Sequence, residues 1–226
     1  MTYDLYIGDR TFSSWSLRGW LMMEKFGLSY RTHLVGLYSG TMAADLAPLA
    51  PARLVPVLKT PDGDIIGETL AMAETLAERH PEAGFWPAEA HLRARARWIS
   101  AEMASGFAAL RDACPMQLQH VNKGFEASDA VMANLDRLED IWSSARALSG
   151  AKDGWLMGDY CLADVFYAPV AARIIGYDLP VSQASRAYCM KVIDDPAFKT
   201  WRADGLKTRY DPFPYPMVVP LADWPV

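Results

Sequence analysis

Apolar and polar positions follow one rhythm up to about residue 80 and another beyond it. Tyr3 to Ile7 reads as a short strand, with Leu5 and Ile7 set among aromatics. From Ser14 to about Phe26 the apolar residues Leu17, Trp20, Leu21, Met22, Met23 and Phe26 keep helical spacing but cover more than one face, so protein should cover this helix on both sides. Gly27 follows as a C-terminal stop. Tyr30 to Val35 alternates as a second strand, and a helical turn follows at Thr41 to Leu46. Leu54 to Leu58 and Ile65-Ile66 flank Pro61-Asp62-Gly63, which predicts a β-hairpin around an Asp-Gly turn. Pro56 cannot donate to a ladder, so it fits where the chain enters an edge strand, and the bond before it is a candidate cis peptide. Glu68 to Arg79 predicts a helix with Leu70, Ala73, Leu76 and Ala77 on one face, completing the order β-α-β-α-β-β-α.

His80 to Pro87, with two prolines and a glycine, reads as a linker. Beyond it the period is helical throughout. Leu92, Ala96, Ile99, Met103, Phe107 and Leu110 predict one long amphipathic helix, and Val131, Leu135, Leu138, Trp142, Ala145 and Leu148 another. Further helices are expected at Leu162 to Ile175, kinked at Pro169, at Gln183 to Ile193 and at Pro196 to Asp204. The tail from Tyr210 to Val226 holds five prolines and several aromatics, and is expected to run extended across the surface. A small α/β unit, residues 1–81, thus precedes an all-helical unit, residues 88–226.

Composition narrows the function without naming it. In 226 residues, 51% are hydrophobic and 22% charged, enough apolar material for a sizeable core and unlike a disordered or fibrous chain. A net charge of -5 with no basic cluster excludes a broad phosphate-binding surface, so no nucleic acid is expected as a partner. Cys114, Cys161 and Cys189 are odd in number and far apart, which points to a reducing compartment and a cytoplasmic protein. The four histidines are scattered, so no metal is expected, and no apolar run has the ~18 residues that a membrane span requires.

Four local features could carry chemistry, and each also has an ordinary structural role. Phe12-Ser13-Ser14-Trp15-Ser16-Leu17-Arg18 lies at a strand-to-helix turn, where serines commonly cap the helix and where a hydroxyl and the helix N-terminus can together stabilise an anion. Val55-Pro56 needs only to be a rigid bend, but a cis bond would aim the Val55 backbone at a cleft, ready to pair with a peptide-like ligand. Gly67-Glu68-Thr69 starts a helix and also offers a carboxylate, a hydroxyl and free N–H groups to the amino-acid end of a ligand. In the Trp155 to Asp164 segment, Asp164 can bond back to the Cys161 backbone as half of a capping box, a folding role.

In combination these features resemble a cytosolic glutathione transferase of the serine type, zeta-like or of a related bacterial class, over Tyr3 to Trp201. Ser13-Ser14-Trp15-Ser16-Leu17-Arg18 is similar to the Ser-Ser-Cys-Ser-Trp-Arg run of the zeta class, Val55-Pro56-Val57-Leu58 to the family's cis-proline segment, Glu68-Thr69 to its Glu-Ser pair, and Gly158 to Asp164 to its folding signature. The resemblance implies a thioredoxin-like α/β N-terminal domain followed by an all-α C-terminal domain. It also implies glutathione as co-substrate, a small electrophilic or unsaturated second substrate, and a homodimer. Ser13, with Ser14 as the alternative, becomes the partner of the glutathione sulfur; Tyr6 ranks well below Ser13 because it lies inside the strand rather than at the turn. Val55, Pro56, Glu68 and Thr69 become the glutathione-binding residues.

Two departures matter. Trp15 stands where the zeta class has cysteine, which argues against thiol-transferase chemistry at that position, and Cys161 is a weaker helix cap than the usual Ser or Thr. The implied activity is conjugation of glutathione or glutathione-dependent isomerisation, with Trp98, Met103, Phe107 and Met116 as expected pocket residues. The alternative is a non-catalytic module of the same fold, used for binding or assembly.

Overall fold

A computed structural model describes residues 2–151 and 154–225. Strands β1 (Tyr3–Ile7), β2 (Tyr30–Leu34), β3 (Val57–Lys59) and β4 (Ile65–Ile66) form a sheet in the order β2-β1-β3-β4. β1 and β2 are parallel, which requires the crossover supplied by helix α1 (Ser14–Glu24); β3 pairs antiparallel with both β1 and β4. The β3–β4 hairpin closes through Thr60 N–H to Asp64 O at 2.9 Å and Gly63 N–H to Thr60 O at 3.0 Å, with Gly63 at φ +99°, where a side chain would be strained. Helices α2 (Met42–Leu46) and α3 (Thr69–Arg79) complete a thioredoxin-like α/β layout in the expected element order.

Pro56 departs from the edge-strand expectation. β3 lies inside the sheet, and the proline sits just before it with the Val55–Pro56 bond cis, so no ladder hydrogen bond is lost. Gly19 of α1 faces this bend: a Cβ there would lie 2.9 Å from Pro56 Cγ, so glycine is what lets helix and bend approach.

Helices α4 (Ala90–Ser105), α5 (Ala108–Ala113), α6 (Asp129–Ser149), α7 (Leu162–Gly176), α8 (Gln183–Asp194) and α9 (Pro196–Gly205) make up most of the remainder. The single helix expected over Leu92 to Leu110 is two. α4 ends at Gly106, where a Cβ would meet Glu102 O at 2.8 Å, and Phe107 turns the chain at φ +59°. The apolar rhythm persists across the break because Phe107 and Leu110 enter the same core as Ile99 and Met103. α7 continues through Pro169 and every one of its residues is buried, so it serves as the central post, packed against α1, α4 and α8. α1 is thereby covered on both sides, by β1 and α3 on one and by α7 and α9 on the other. The tail is not wholly irregular: β6 (Leu221–Asp223) pairs antiparallel with β5 (His120–Asn122), a pairing between segments too short and distant to be read from their residues.

Candidate active site

The turn between β1 and α1 is held from below. Asp9 Oδ1 accepts the N–H groups of Thr11 at 2.8 Å and Phe12 at 3.0 Å, and Asp9 O accepts Ser13 N–H at 2.8 Å. Ser13 is then the N-cap of α1, its Oγ accepting Ser16 N–H at 3.4 Å and donating to Ser16 Oγ at 2.8 Å. Ser16 Oγ also takes the Gly8 N–H at 2.9 Å. The first turn of α1 has no acidic residue, so the positive end of its dipole is uncompensated.

Three guanidinium groups gather beside this turn. Arg173 Nη2 donates to Ser14 Oγ at 3.4 Å, while its Nε and Nη1 donate to Cys114 O and Pro169 O. Arg18 Nη1 donates to Ser14 O at 3.4 Å and its Nε to Phe166 O at 2.9 Å. Trp15 stacks with Arg18 at 4.2 Å and Arg111 at 5.2 Å. Burial, reinforced by the Arg111 charge, lowers the pKa of Arg173 to about 10, which leaves it cationic at neutral pH. Neither Arg173 nor Arg18 has a carboxylate partner among the described residues: Arg173 is held by two carbonyls and the Ser14 hydroxyl, Arg18 by two carbonyls and the Trp15 ring.

Ser13, Ser14, Val55, Arg111, Arg173 and one acid, Asp112, help line a cavity of about 390 Å³, to which Trp15, Met116, Tyr38 and Tyr215 also contribute. No protein group takes the Val55 N–H or C=O among the described residues. A second cavity of about 470 Å³ is lined by Pro51 to Leu54, Ile65 to Glu68 and Ala71, and Leu54 borders both, so the two are neighbours. Glu68 is exposed there, at the N-cap of α3, without a capping bond of its own. Chemically, the region offers an acid at one end, unpaired backbone in the middle, and hydroxyls, a helix N-terminus, two guanidinium groups and one carboxylate, Asp112, at the other.

Comparison with known proteins agrees with this geometry. Residues 12–79 match the glutathione S-transferase N-terminal domain family. The chain is 30% identical over 168 residues to the probable maleylacetoacetate isomerase of Caenorhabditis elegans, covering 73% of this chain and 77% of that protein. The chain belongs to the glutathione S-transferase family. It is also 31% identical over 163 residues to the maleylacetoacetate isomerase of Rattus norvegicus, covering 70% of this chain and 74% of that one. A Burkholderia glutathione transferase homolog, solved with bound glutathione, shares the fold with a TM-score of 0.68 at 23% identity, over 92% of this chain and 100% of its own.

Within this glutathione S-transferase, the structure brings Ser13, Ser14 and Val55 to one cavity and places Glu68 in the adjoining one. Thr69 is buried behind Glu68 as the first residue of α3 and lines neither cavity. Pro56 is buried against α1. Tyr6 is placed elsewhere, stacked on His33 at 4.5 Å. Of the four expected pocket residues, Met116 lines the cavity; Met103 and Phe107 are core, and Trp98 is 54% exposed with Arg95 stacked on it. Arg111, Arg173, Tyr38 and Tyr215 were not foreseen. Arg173 did leave a trace, as the one cation in an apolar run from Leu162 to Ile175.

Among the described residues, no helix is long and apolar enough to cross a membrane, and no three His, Cys, Asp or Glu side chains group as a metal site.

Proposed function

We propose that the chain binds glutathione across these neighbouring cavities, from Glu68 to Ser13, and uses its thiolate to isomerise a small unsaturated anion. Glu68 pairs with the γ-glutamyl ammonium, and the free N–H groups that begin at Thr69 take the adjoining carboxylate. The cysteinyl backbone pairs with Val55, beside the buried Pro56. The sulfur then lies against Ser13 and the N-terminus of α1, both of which favour thiolate over thiol. An ordinary thiol has a pKa of about 8.5, and a depression of roughly two units, about 2.7 kcal/mol, leaves it largely ionised at neutral pH.

The observation that carries isomerisation is Arg173, a buried cation with no carboxylate bonded to it among the described residues, whose Nη2 reaches Ser14 Oγ at 3.4 Å in the Ser13 cavity. With Arg111 it suits a substrate bearing carboxylates, and the relatives in Caenorhabditis elegans and Rattus norvegicus, by name isomerases of maleylacetoacetate, support that class. The sulfur adds to one carbon of a conjugated C=C bond, and the π electrons move onto the carbonyl oxygen as an enolate. The former double bond is now single and rotates. The electrons return, the C=C bond re-forms, and the C–S bond breaks to release the same thiolate. Arg111 and Arg173 neutralise the substrate carboxylates and the enolate charge.

Calorimetry with glutathione and an assay on a maleylacetoacetate-type substrate test this directly. Ser13→Ala should cut the rate while leaving glutathione affinity at mildly acidic pH nearly unchanged; an unchanged rate transfers the role to Ser14. Glu68→Ala should raise the glutathione dissociation constant roughly tenfold, and an unaltered constant refutes the γ-glutamyl assignment. A wild-type chain that ignores millimolar glutathione would be a non-catalytic module of this fold. Light scattering checks the homodimer, which requires twice the 25.1 kDa chain mass.

A further inference from the structure

Ser16 has a place in the site that helix capping does not explain. It is the third residue of α1 counted from the Ser13 cap, where a capping box would carry Glu or Gln reaching back to the cap's backbone N–H. Here that N–H is already taken by Asp9 O at 2.8 Å, and the Ser16 hydroxyl bonds instead to the Ser13 hydroxyl at 2.8 Å. Ser16 is 0% exposed, and the Ser13 hydroxyl is the one side-chain group its own hydroxyl meets among the described residues. Its lone pairs are used as well, by the Gly8 N–H at 2.9 Å from the end of β1.

We propose that Ser16 is a positioning residue that turns the Ser13 proton toward the glutathione sulfur, an inference that rests on the proposed role of Ser13. In the structure Ser13 donates to Ser16. A hydroxyl hydrogen rotates freely, and the reversed arrangement uses the same 2.8 Å contact. With a thiolate in the cavity, Ser16 donates to Ser13 Oγ, which also keeps the Ser16 N–H at 3.4 Å. Ser13 Oγ then has two donors pointing into it and one proton left, and the sulfur is the acceptor that remains. The result is a directed chain, Gly8 N–H to Ser16 Oγ–H to Ser13 Oγ–H to sulfur, in which each bond polarises the next and makes Ser13 a stronger donor. No proton changes owner along the chain; the thiol proton leaves to solvent and both serines keep theirs. Gly8 directly follows β1 and Ser16 lies in α1, so a backbone N–H, which can only donate, sets the direction of the chain at its start.

The test is a titration of protein-bound glutathione, followed by the ultraviolet absorbance of its thiolate, in four proteins: wild type, Ser16→Ala, Ser13→Ala and the double variant. Ser16→Ala should raise the thiol midpoint by about one pH unit. Glutathione affinity should then be about tenfold weaker above both midpoints and unchanged below them. Added to Ser13→Ala, the same substitution should move the midpoint no further. A folded Ser16→Ala protein with an unmoved midpoint overturns the proposal, and so does an equal shift with and without Ser13, which would mean Ser16 acts on its own. If Ser16→Ala does not fold, Ser16→Cys, slightly larger and a weak donor, should shift the midpoint in the same direction when its absorbance without glutathione is subtracted. Loss of binding in the wild type would fail the glutathione reading itself, and this inference with it, whereas normal binding with a silent Ser16 fails this inference alone.

Discussion

Arg173 shows how a single charge can define a site. Its guanidinium is held entirely by oxygens without formal charge, an arrangement that costs stability unless an anion joins it. Arg173→Met relieves the buried charge but leaves the buried Cys114 carbonyl without its donor, so it should cost about 1–3 kcal/mol of stability and leave a folded protein. It should also lower kcat/KM for a dicarboxylate substrate about 100-fold, close to 2.7 kcal/mol, with the glutathione dissociation constant unchanged. Steady-state kinetics paired with calorimetry checks this, and a defect confined to glutathione affinity would remove the anion-binding role. At this scale the sequence was informative where the signal was local. Ser13 and Glu68 each sit at a helix start whose residues are contiguous. Arg173 meets Ser14 across 159 positions, and nothing local says which residue an isolated buried cation will face.

At the scale of elements, α7 depends on its start. Asp164 accepts N–H groups from Leu156 and Cys161 at 3.1 Å each and the Tyr188 hydroxyl at 3.1 Å, so one carboxylate ties the loop, the cap and α8 together. Burial raises its pKa from 3.8 to about 6, outweighing the hydrogen bonds that favour the charged form. Between those values the native state holds a proton that the unfolded chain has released, so stability falls as pH rises through this window. Denaturant unfolding across pH 4 to 6 should show the decline in wild type and lose it in Asp164→Asn; an identical slope in both would place the titration elsewhere. The capping role was legible because its spacing is fixed by helix geometry. The break between α4 and α5 was not, because the core spans the turn and the apolar period runs on through it.

For the whole molecule, the two halves are joined through side chains far apart in sequence. Phe12, at the site turn, is ringed by Tyr38 at 5.5 Å, Tyr210 at 5.2 Å, Phe213 at 5.3 Å and Tyr215 at 5.6 Å, and the Tyr38 and Tyr215 hydroxyls meet at 2.7 Å. The tail thereby crosses from α9 to the α/β half before β6 returns it to β5. Phe12→Ala should cost about 3–5 kcal/mol in denaturant unfolding and speed amide exchange in residues 210–215; unaltered exchange there would show that the tail is held independently of Phe12. The β-α alternation and the change to helix revealed the architecture, but a ring of aromatics drawn from three segments has no periodicity to read.

The central claim is that the α1 turn, with its capping serine, converts bound glutathione to thiolate. The most direct measurement is the pH midpoint of the thiolate absorbance of glutathione bound to the wild-type protein. The proposed mechanism predicts a midpoint about two units below the ~8.5 of a free thiol. A midpoint equal to that of free glutathione would contradict it.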